Sequence, residues 1–330
     1  DPIALKTSGR QINYIDAIHE ALDQEMGRDD SVVVFGLDVD DSKAIYGTTR
    51  GLPAKYGTQR VFGTPIAEDA MTGVAIGMAI AGLRPVHIHI RMDFVLLAMN
   101  QLVNMAAKSR YTFGGQVSVP LVVRSMIGRS WGQGAQHSQA FHSFFMHVPG
   151  IKVVAPSNPF DAKGLLNASI EDPNPVLFFE HKALYRSTKG MVPSAYYQLE
   201  IGKAAVASEG KLASIITYGS GVHWALELKE ERGLDIEIID LRTLLPLDTE
   251  CIYNSVRKTG KALILHEDSL FGGIGGEISA LINEHCFESL DAPVRRVGSL
   301  DTPVPFAVAL EEQFLPKKRF EETLLELIAY

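Results

Sequence analysis

A few residues in this chain have the type and spacing to do proton chemistry. Glu68 and Asp69 stand between a short extended piece, VFGTPI, and a run from Ala70 to Gly82 that carries no charge. The run predicts a helix, with Gly73 and Gly77 four apart on one face, so Glu68 falls at its N-terminus. There the macrodipole favours an ionised carboxylate. Such an acid either serves a ligand or caps the helix, and position alone leaves both open. His137, in AQHSQ, lies in a loop of glycines and small polar residues, where an imidazole can act as acid or base; His142 and His147 follow closely. His87 and His89 alternate with Val86 and Ile88, which suits a hydrogen-bonded sheet face, and His266 ends a strand in LHED, where a structural bond is expected. SIEDPNP offers oxygens only, with too little charge for a tight divalent site, so a monovalent ion or none is expected. FGGIGGEISALINEH looks like a phosphate-binding turn but lacks the G-x-G-x-x-G spacing, which points to a packing turn. G-x-x-x-x-G-K-[ST], H-E-x-x-H and G-x-S-x-G are absent.

The elements around these residues alternate. Ile15, Ile18, Leu22 and Met26 follow a helical period, and SVVVFGLDV is a buried strand. The central helix is apolar all round, which assigns it to a core or an interface. RPVHIHIRMDF begins as a strand, DFVLLAMNQLVNMAAKSRY is a helix, and VSVPLVVRSMIG is a strand. GIKVVAPSN, DAKGLLNASIED and PNPVLFFEH read strand, helix, strand. A second alternating block runs from KLASIITYGSG to FEETLLELIAY. Such alternation predicts α/β architecture, a parallel sheet with helices on both faces. At 330 residues two domains are expected: 1–185, a polar linker over 186–200, and 201–330.

A net charge of −8 argues against nucleic-acid binding. Cys251 and Cys286 have neither metal-ligand nor disulfide spacing. No signal peptide is evident and no apolar run reaches membrane length, so a cytoplasmic (bacterial-type) or organelle-matrix location is expected.

The segments TPIAE, GLRPV, DF with NQLVNMAAKSRY, AQHSQ, HVPGIKVVAPSNPFDAKGLL, EDPNPVLFFEHKALYR, IDLRTLLPLD, KTGKALILHED and APVRRVGSLDTPVPF occur in order over nearly the whole chain. Together they resemble the beta subunit of the thiamine-diphosphate-dependent decarboxylating component of 2-oxoacid dehydrogenases. The resemblance implies a transketolase-like pyrimidine-binding domain followed by a transketolase C-terminal-type α/β domain. It implies an alpha-two, beta-two heterotetramer that decarboxylates a 2-oxoacid and passes the acyl group to a lipoyl arm on an acyltransferase core. In that light Glu68 is expected to hydrogen-bond the cofactor's aminopyrimidine away from water. Ile66 and Phe94 are expected to contact the same ring, and His137 to act in acyl transfer. The resemblance further implies potassium held by Leu121, Ser169, Ile170, Asp172 and Asn174. The diphosphate–magnesium motif, GDG followed by Asn, is missing, so Mg2+ is expected mainly on the alpha subunit and this chain alone should build half a site.

Three positions depart from the family pattern. Leu37, in Gly36-Leu37-Asp38, stands where an acid is usual, and His89 and Arg91 are unusual in their strand. Arg91 is suited either to pairing a carboxylate or phosphate, which would make the substrate other than pyruvate or branched-chain oxoacids, or to a solvated or interface position. The alternatives are half of a split transketolase, an acetoin-cleaving enzyme on the same cofactor site, or a non-catalytic scaffold for an alpha subunit.

Overall fold

The computed structural model describes residues 9–128 and 132–330. The first eight residues of the expected first domain, and residues 129–131 at the head of the glycine–histidine loop, lie outside the described residues. The chain divides into two units, Asp1–Ile127 with Phe145–Ile201, and Gly128–Phe144 with Gly202–Tyr330.

The first unit contains β1 (Arg10–Asn13), β2 (Val32–Gly36), β3 (Val61–Gly63), β4 (Arg84–His89), β5 (Val122–Ile127), β6 (Lys152–Val154), β7 (Val176–His181) and β8 (Lys189–Val192). Six of these form a parallel sheet in the order β6–β7–β5–β4–β2–β3. β2, β5 and β7 are buried throughout, as near-continuous apolar runs covered on both faces must be. One face packs against helices Tyr14–Arg28 and Pro159–Glu171; Ile15, Ile18, Leu22, Val86, Ile88, Leu165 and Phe178 share that core. Successive residues of β4 point to opposite faces, so His87 and His89 turn to the other side. That side is covered by helix Glu68–Ile80 and by the helical run over residues 92–112, against which the Glu68 helix packs.

The Glu68 helix, expected in a core or an interface, is buried along one stripe within this chain. Thr72, Ala75, Ile76 and Ala79 form one buried stripe, whereas Val74 and Ile80 are 47% and 50% exposed. A stripe of residues three and four apart is all that one sheet can cover. The run over 92–112 is not one uniform helix: tight turns at Leu96–Ala98 and wide turns at Gln101–Ala106 interrupt it.

Residues 186–200, polar enough to read as a linker, are fastened along this unit. β8 pairs antiparallel with β1. Buried Lys163 donates to the carbonyls of Pro193 (2.8 Å) and Ala195 (2.9 Å), and Asn167 to that of Tyr197 (2.8 Å).

The second unit contains β9 (Ala205–Ser208), β10 (Ser214–Thr217), β11 (Glu237–Asp240), β12 (Thr243–Leu245), β13 (Ala262–Ser269) and β14 (Arg295–Ser299). Five pair in the order β14–β13–β10–β11–β9, with β9 an antiparallel edge. Ile215, Ile238, Leu263 and Leu265 meet Phe320 and Leu324 of the C-terminal helix in its core. The glycine-rich turn before helix Ile274–Cys286 is a packing turn. A Cβ on Gly273 would lie 2.6 Å from His266 Cε1, and one on Gly275 2.8 Å from His266 Nε2. His266 itself is buried and shares a 3.0 Å hydrogen bond through Nδ1 with the Asp268 carbonyl.

Candidate active site

In an open parallel sheet, ligands gather outside the carboxyl ends of the strands. At that edge of the first unit stand Leu37 and Asp38 after β2, Ile66 and Glu68 after β3, Arg91 and Phe94 after β4, and Lys182 after β7. β2 and β4 approach closely there. A Cβ on Gly36, whose φ is +152°, would fall 2.3 Å from the Ile88 carbonyl oxygen, so only glycine fits before Leu37.

Glu68 is the first residue of its helix, half-buried, and Ile66 is 75% exposed. Within this chain Glu68 is thus partly open to water. Thr72, one turn on and on the same helix face, is buried and shares a 3.2 Å hydrogen bond between its Oγ1 and His89 Nε2. The His89 ring lies edge-on to His87 at 4.4 Å, and His87 stacks on Phe35 at 4.6 Å. Burial drives His87 down to about 4 despite its hydrogen bond with the Phe35 carbonyl. His89 falls well below the ordinary histidine range, through burial and then its His87 neighbour. Both rings are neutral near pH 7 and form the bonded sheet face that their alternation implies.

Phe94 is half-buried in the short helix Met92–Val95, and Arg91, immediately before it, is buried. A carboxylate at a helix start, an exposed apolar step before it and an aromatic ring on the next strand's loop have the chemistry to receive a flat, hydrogen-bonding ring such as an aminopyrimidine.

His137 is exposed, and its segment is grouped with the second unit. There a Cβ on Gly134 would fall 2.4 Å from the Phe306 ring, and Ser143 Oγ donates to Asp268 Oδ2 at 2.9 Å. Burial pushes Asp268 up to about 6 against that bond.

The five residues expected to hold potassium share one corner of the first unit, at the end of helix Pro159–Glu171 and the start of β5. Asp172 Oδ1 accepts from Asn174 N and Nδ2, both at 2.9 Å, and Asp172 Oδ2 pairs with Lys152. The Ile170 carbonyl accepts from Arg84 Nη1 at 2.8 Å, the Leu121 carbonyl from Val176 N at 2.9 Å, and Ser169 Oγ donates to Leu165 O. Carbonyls with one already paired carboxylate suit a weakly charged, hard ion and not a divalent one. Among the described residues, no group of three or more His, Cys, Asp or Glu has the arrangement to hold a metal ion.

Two family descriptions match the chain: transketolase, pyrimidine binding domain, over residues 10–188, and transketolase, C-terminal domain, over residues 202–319. The chain is 45% identical to the 2-oxoisovalerate dehydrogenase subunit beta of Bacillus subtilis, over 92% of this chain and 94% of that one. It is 46% identical to the pyruvate dehydrogenase E1 component subunit beta of Porphyra purpurea, over 92% of each. The chain belongs to the transketolase-type family of 2-oxoacid dehydrogenase beta subunits. Within this family, it is also 42% identical to the acetoin:2,6-dichlorophenolindophenol oxidoreductase subunit beta of Cupriavidus necator, over 93% of this chain and 94% of that one. A solved split-gene transketolase, an inactive beta4 tetramer, shares the fold at a TM-score of 0.76 and 24% identity, covering 96% of this chain and 98% of that one. No helix among the described residues is long and apolar enough to cross a membrane.

The sequence reading of this family member passed over Lys182, Thr72 and Asp268. The signal for Lys182 was present: a charged residue directly after a buried parallel strand stands at the ligand edge.

Proposed function

We propose that this chain is the beta subunit of a thiamine-diphosphate-dependent 2-oxoacid dehydrogenase. It would assemble with an alpha subunit as alpha-two, beta-two, decarboxylate a 2-oxoacid and deliver the acyl group to a lipoyl arm of an acyltransferase core. The observation that carries this is Glu68, opening a helix at the carboxyl edge of the sheet, with Ile66 two residues before it and Phe94 after β4 at the same edge, in a chain 45% identical to a 2-oxoisovalerate dehydrogenase beta subunit. When bound, thiamine diphosphate supplies the electron sink for loss of CO2. Glu68 would hold a proton shared with the aminopyrimidine ring. Ile66 through its backbone and Phe94 through its ring would orient that ring, and His137 would move a proton as the acyl group leaves. Mg2+ would be held mainly by the alpha subunit. Leu121, Ser169, Ile170, Asp172 and Asn174 would hold a potassium ion, largely through carbonyl oxygens. The proposed domains are 1–185, a joining stretch over 186–200, and 201–330, and the proposed compartment is the cytoplasm or an organelle matrix.

The test is reconstitution with the alpha subunit. Glu68→Gln is expected to lower decarboxylation by about 10²–10⁴-fold, the usual loss for a positioned acid/base. Full turnover by the isolated beta chain, or by the Gln variant complex, would refute the proposal. The acetoin relative favours a second reading, cleavage of acetoin on the same site. Product formed from acetoin but from no 2-oxoacid would select it.

A further inference from the structure

The segment that carries His137 is fastened at both ends to the carboxyl edge of the second sheet. β13 and β14 are neighbours in that sheet, and the turns that follow them are joined: the Phe271 N–H donates to Asp301 Oδ1 at 3.1 Å. On the near side of His137 the backbone lies against Phe306, beyond β14. A Cβ on Gly134 would fall 2.4 Å from the Phe306 ring, and one on Gly132 3.0 Å from the Phe306 carbonyl oxygen. Both glycines have positive φ, +70° and +62°, so this close approach is open to few other residues. On the far side Ser143 donates through Oγ to Asp268 Oδ2 at 2.9 Å, and Asp268 belongs to β13. The ring of His142, fully buried, stands edge-on to Tyr218 at 5.0 Å, and Tyr218 directly follows β10. Between these two anchored ends His137 is exposed.

The two ends are held by different forces. The near end is a matter of shape, glycine against an aromatic ring. The far end rests on a charge. Asp268 is buried, and with a value of about 6 it is mostly ionised at neutral pH. Its other oxygen accepts from Ser269 N at 2.8 Å, a bond made within its own strand. The Ser143 hydroxyl is thus the donor that ties this carboxylate to the His137 segment. A hydroxyl on a buried carboxylate makes a stronger bond than a neutral pair would, because a buried charge short of donors is costly.

We infer that Asp268, acting through Ser143, is a positioning residue for His137. It fixes the far end of the segment over residues 132–141 and so sets where the imidazole is presented. The inference rests on the role proposed above for His137 in acyl transfer. Asp268 acts on the segment and not on the reacting atoms, so its removal should tell on transfer of the acyl group more than on loss of CO2.

The experiment uses the complex assembled with its alpha subunit. Hydrogen exchange read by mass spectrometry follows peptides over residues 132–141. Ser143→Ala and Asp268→Asn should speed exchange there by about tenfold, the effect of losing one hydrogen bond to a charged acceptor. Ser143→Thr, which keeps the hydroxyl, should restore protection. Two assays, each run with pyruvate and with 2-oxoisovalerate, then divide the reaction. Reduction of 2,6-dichlorophenolindophenol reads decarboxylation without an acyl carrier, and acylation of a lipoylated domain reads transfer. Ser143→Ala should lower transfer at least fivefold more than it lowers dye reduction. Added to His137→Ala, it should lower transfer no further, because a tether that acts through His137 then has nothing left to position. Unchanged exchange over 132–141 in both variants overturns the tether. Unaltered transfer, equal losses in the two assays, or a further loss in the double variant overturns the positioning of His137. A complex that decarboxylates neither oxoacid, but whose segment loosens in Ser143→Ala and tightens again in Ser143→Thr, loses the proposed activity and keeps the tether.

Discussion

Glu25 should make this protein less stable as the pH rises toward neutrality. Its carboxyl group is fully buried on helix Tyr14–Arg28, and neither oxygen makes a well-formed hydrogen bond. Burial pushes it from an ordinary 4.5 up to about 7, against the nearby Tyr196 hydroxyl and with the help of the Glu171 carboxylate. The folded chain therefore holds a proton that the unfolded chain releases. The stability linked to that proton is fully present below about pH 4.5 and is lost as the pH rises through about 7. A carboxyl moved this far corresponds to about 3 kcal/mol. Glu25→Gln keeps the shape and removes the titration. Above pH 8 the variant should be more stable than the wild type by an amount approaching that figure; near pH 4.5 the difference should vanish. For a unit of roughly 150–250 residues, 3 kcal/mol moves the melting midpoint by about 6–12 °C. Melting curves of the two proteins from pH 5 to 8.5 read it directly. Parallel curves across that range would show that Glu25 is already ionised in the fold, and the reasoning about its burial would fail.

Arg124 and Glu180 form a fully buried pair, with Nε–Oε1 at 2.5 Å and Nη2–Oε2 at 2.9 Å, and Tyr185 also donates to Glu180. Arg124→Met should destabilise by about 3–5 kcal/mol, and Arg124→Met with Glu180→Leu by clearly less; urea unfolding of both variants tests the order. Gly275→Ala brings a methyl group against His266 and should cost about 1–3 kcal/mol, with an unmoved midpoint counting against the packing role of that turn. Thr72→Val removes the hydroxyl that meets His89, and a loss of about 1 kcal/mol is expected on the same assay.

What could be seen in the chain beforehand was local. The helix beginning at Glu68 is written in an acid followed by an uncharged run, and the turn against Glu68 needs no distant partner. The bonded His87–His89 face is likewise written in a period of two. By contrast β1 and β8 left no trace, because RQIN and KGMV, largely outside the core, lack an alternation to betray them. The half-exposed face of the Glu68 helix was also hidden: its composition is right for burial, but composition does not say which molecule does the covering. Arg91 and Lys182 show where the boundary lies. Parallel strands all end at one edge, so the sequence assigns both residues to that edge. It does not give strand order: β6 follows β5 in the chain, yet β7 lies between them and pairs with both. Edge membership is thus readable from a one-dimensional pattern, whereas adjacency along the edge is set by packing.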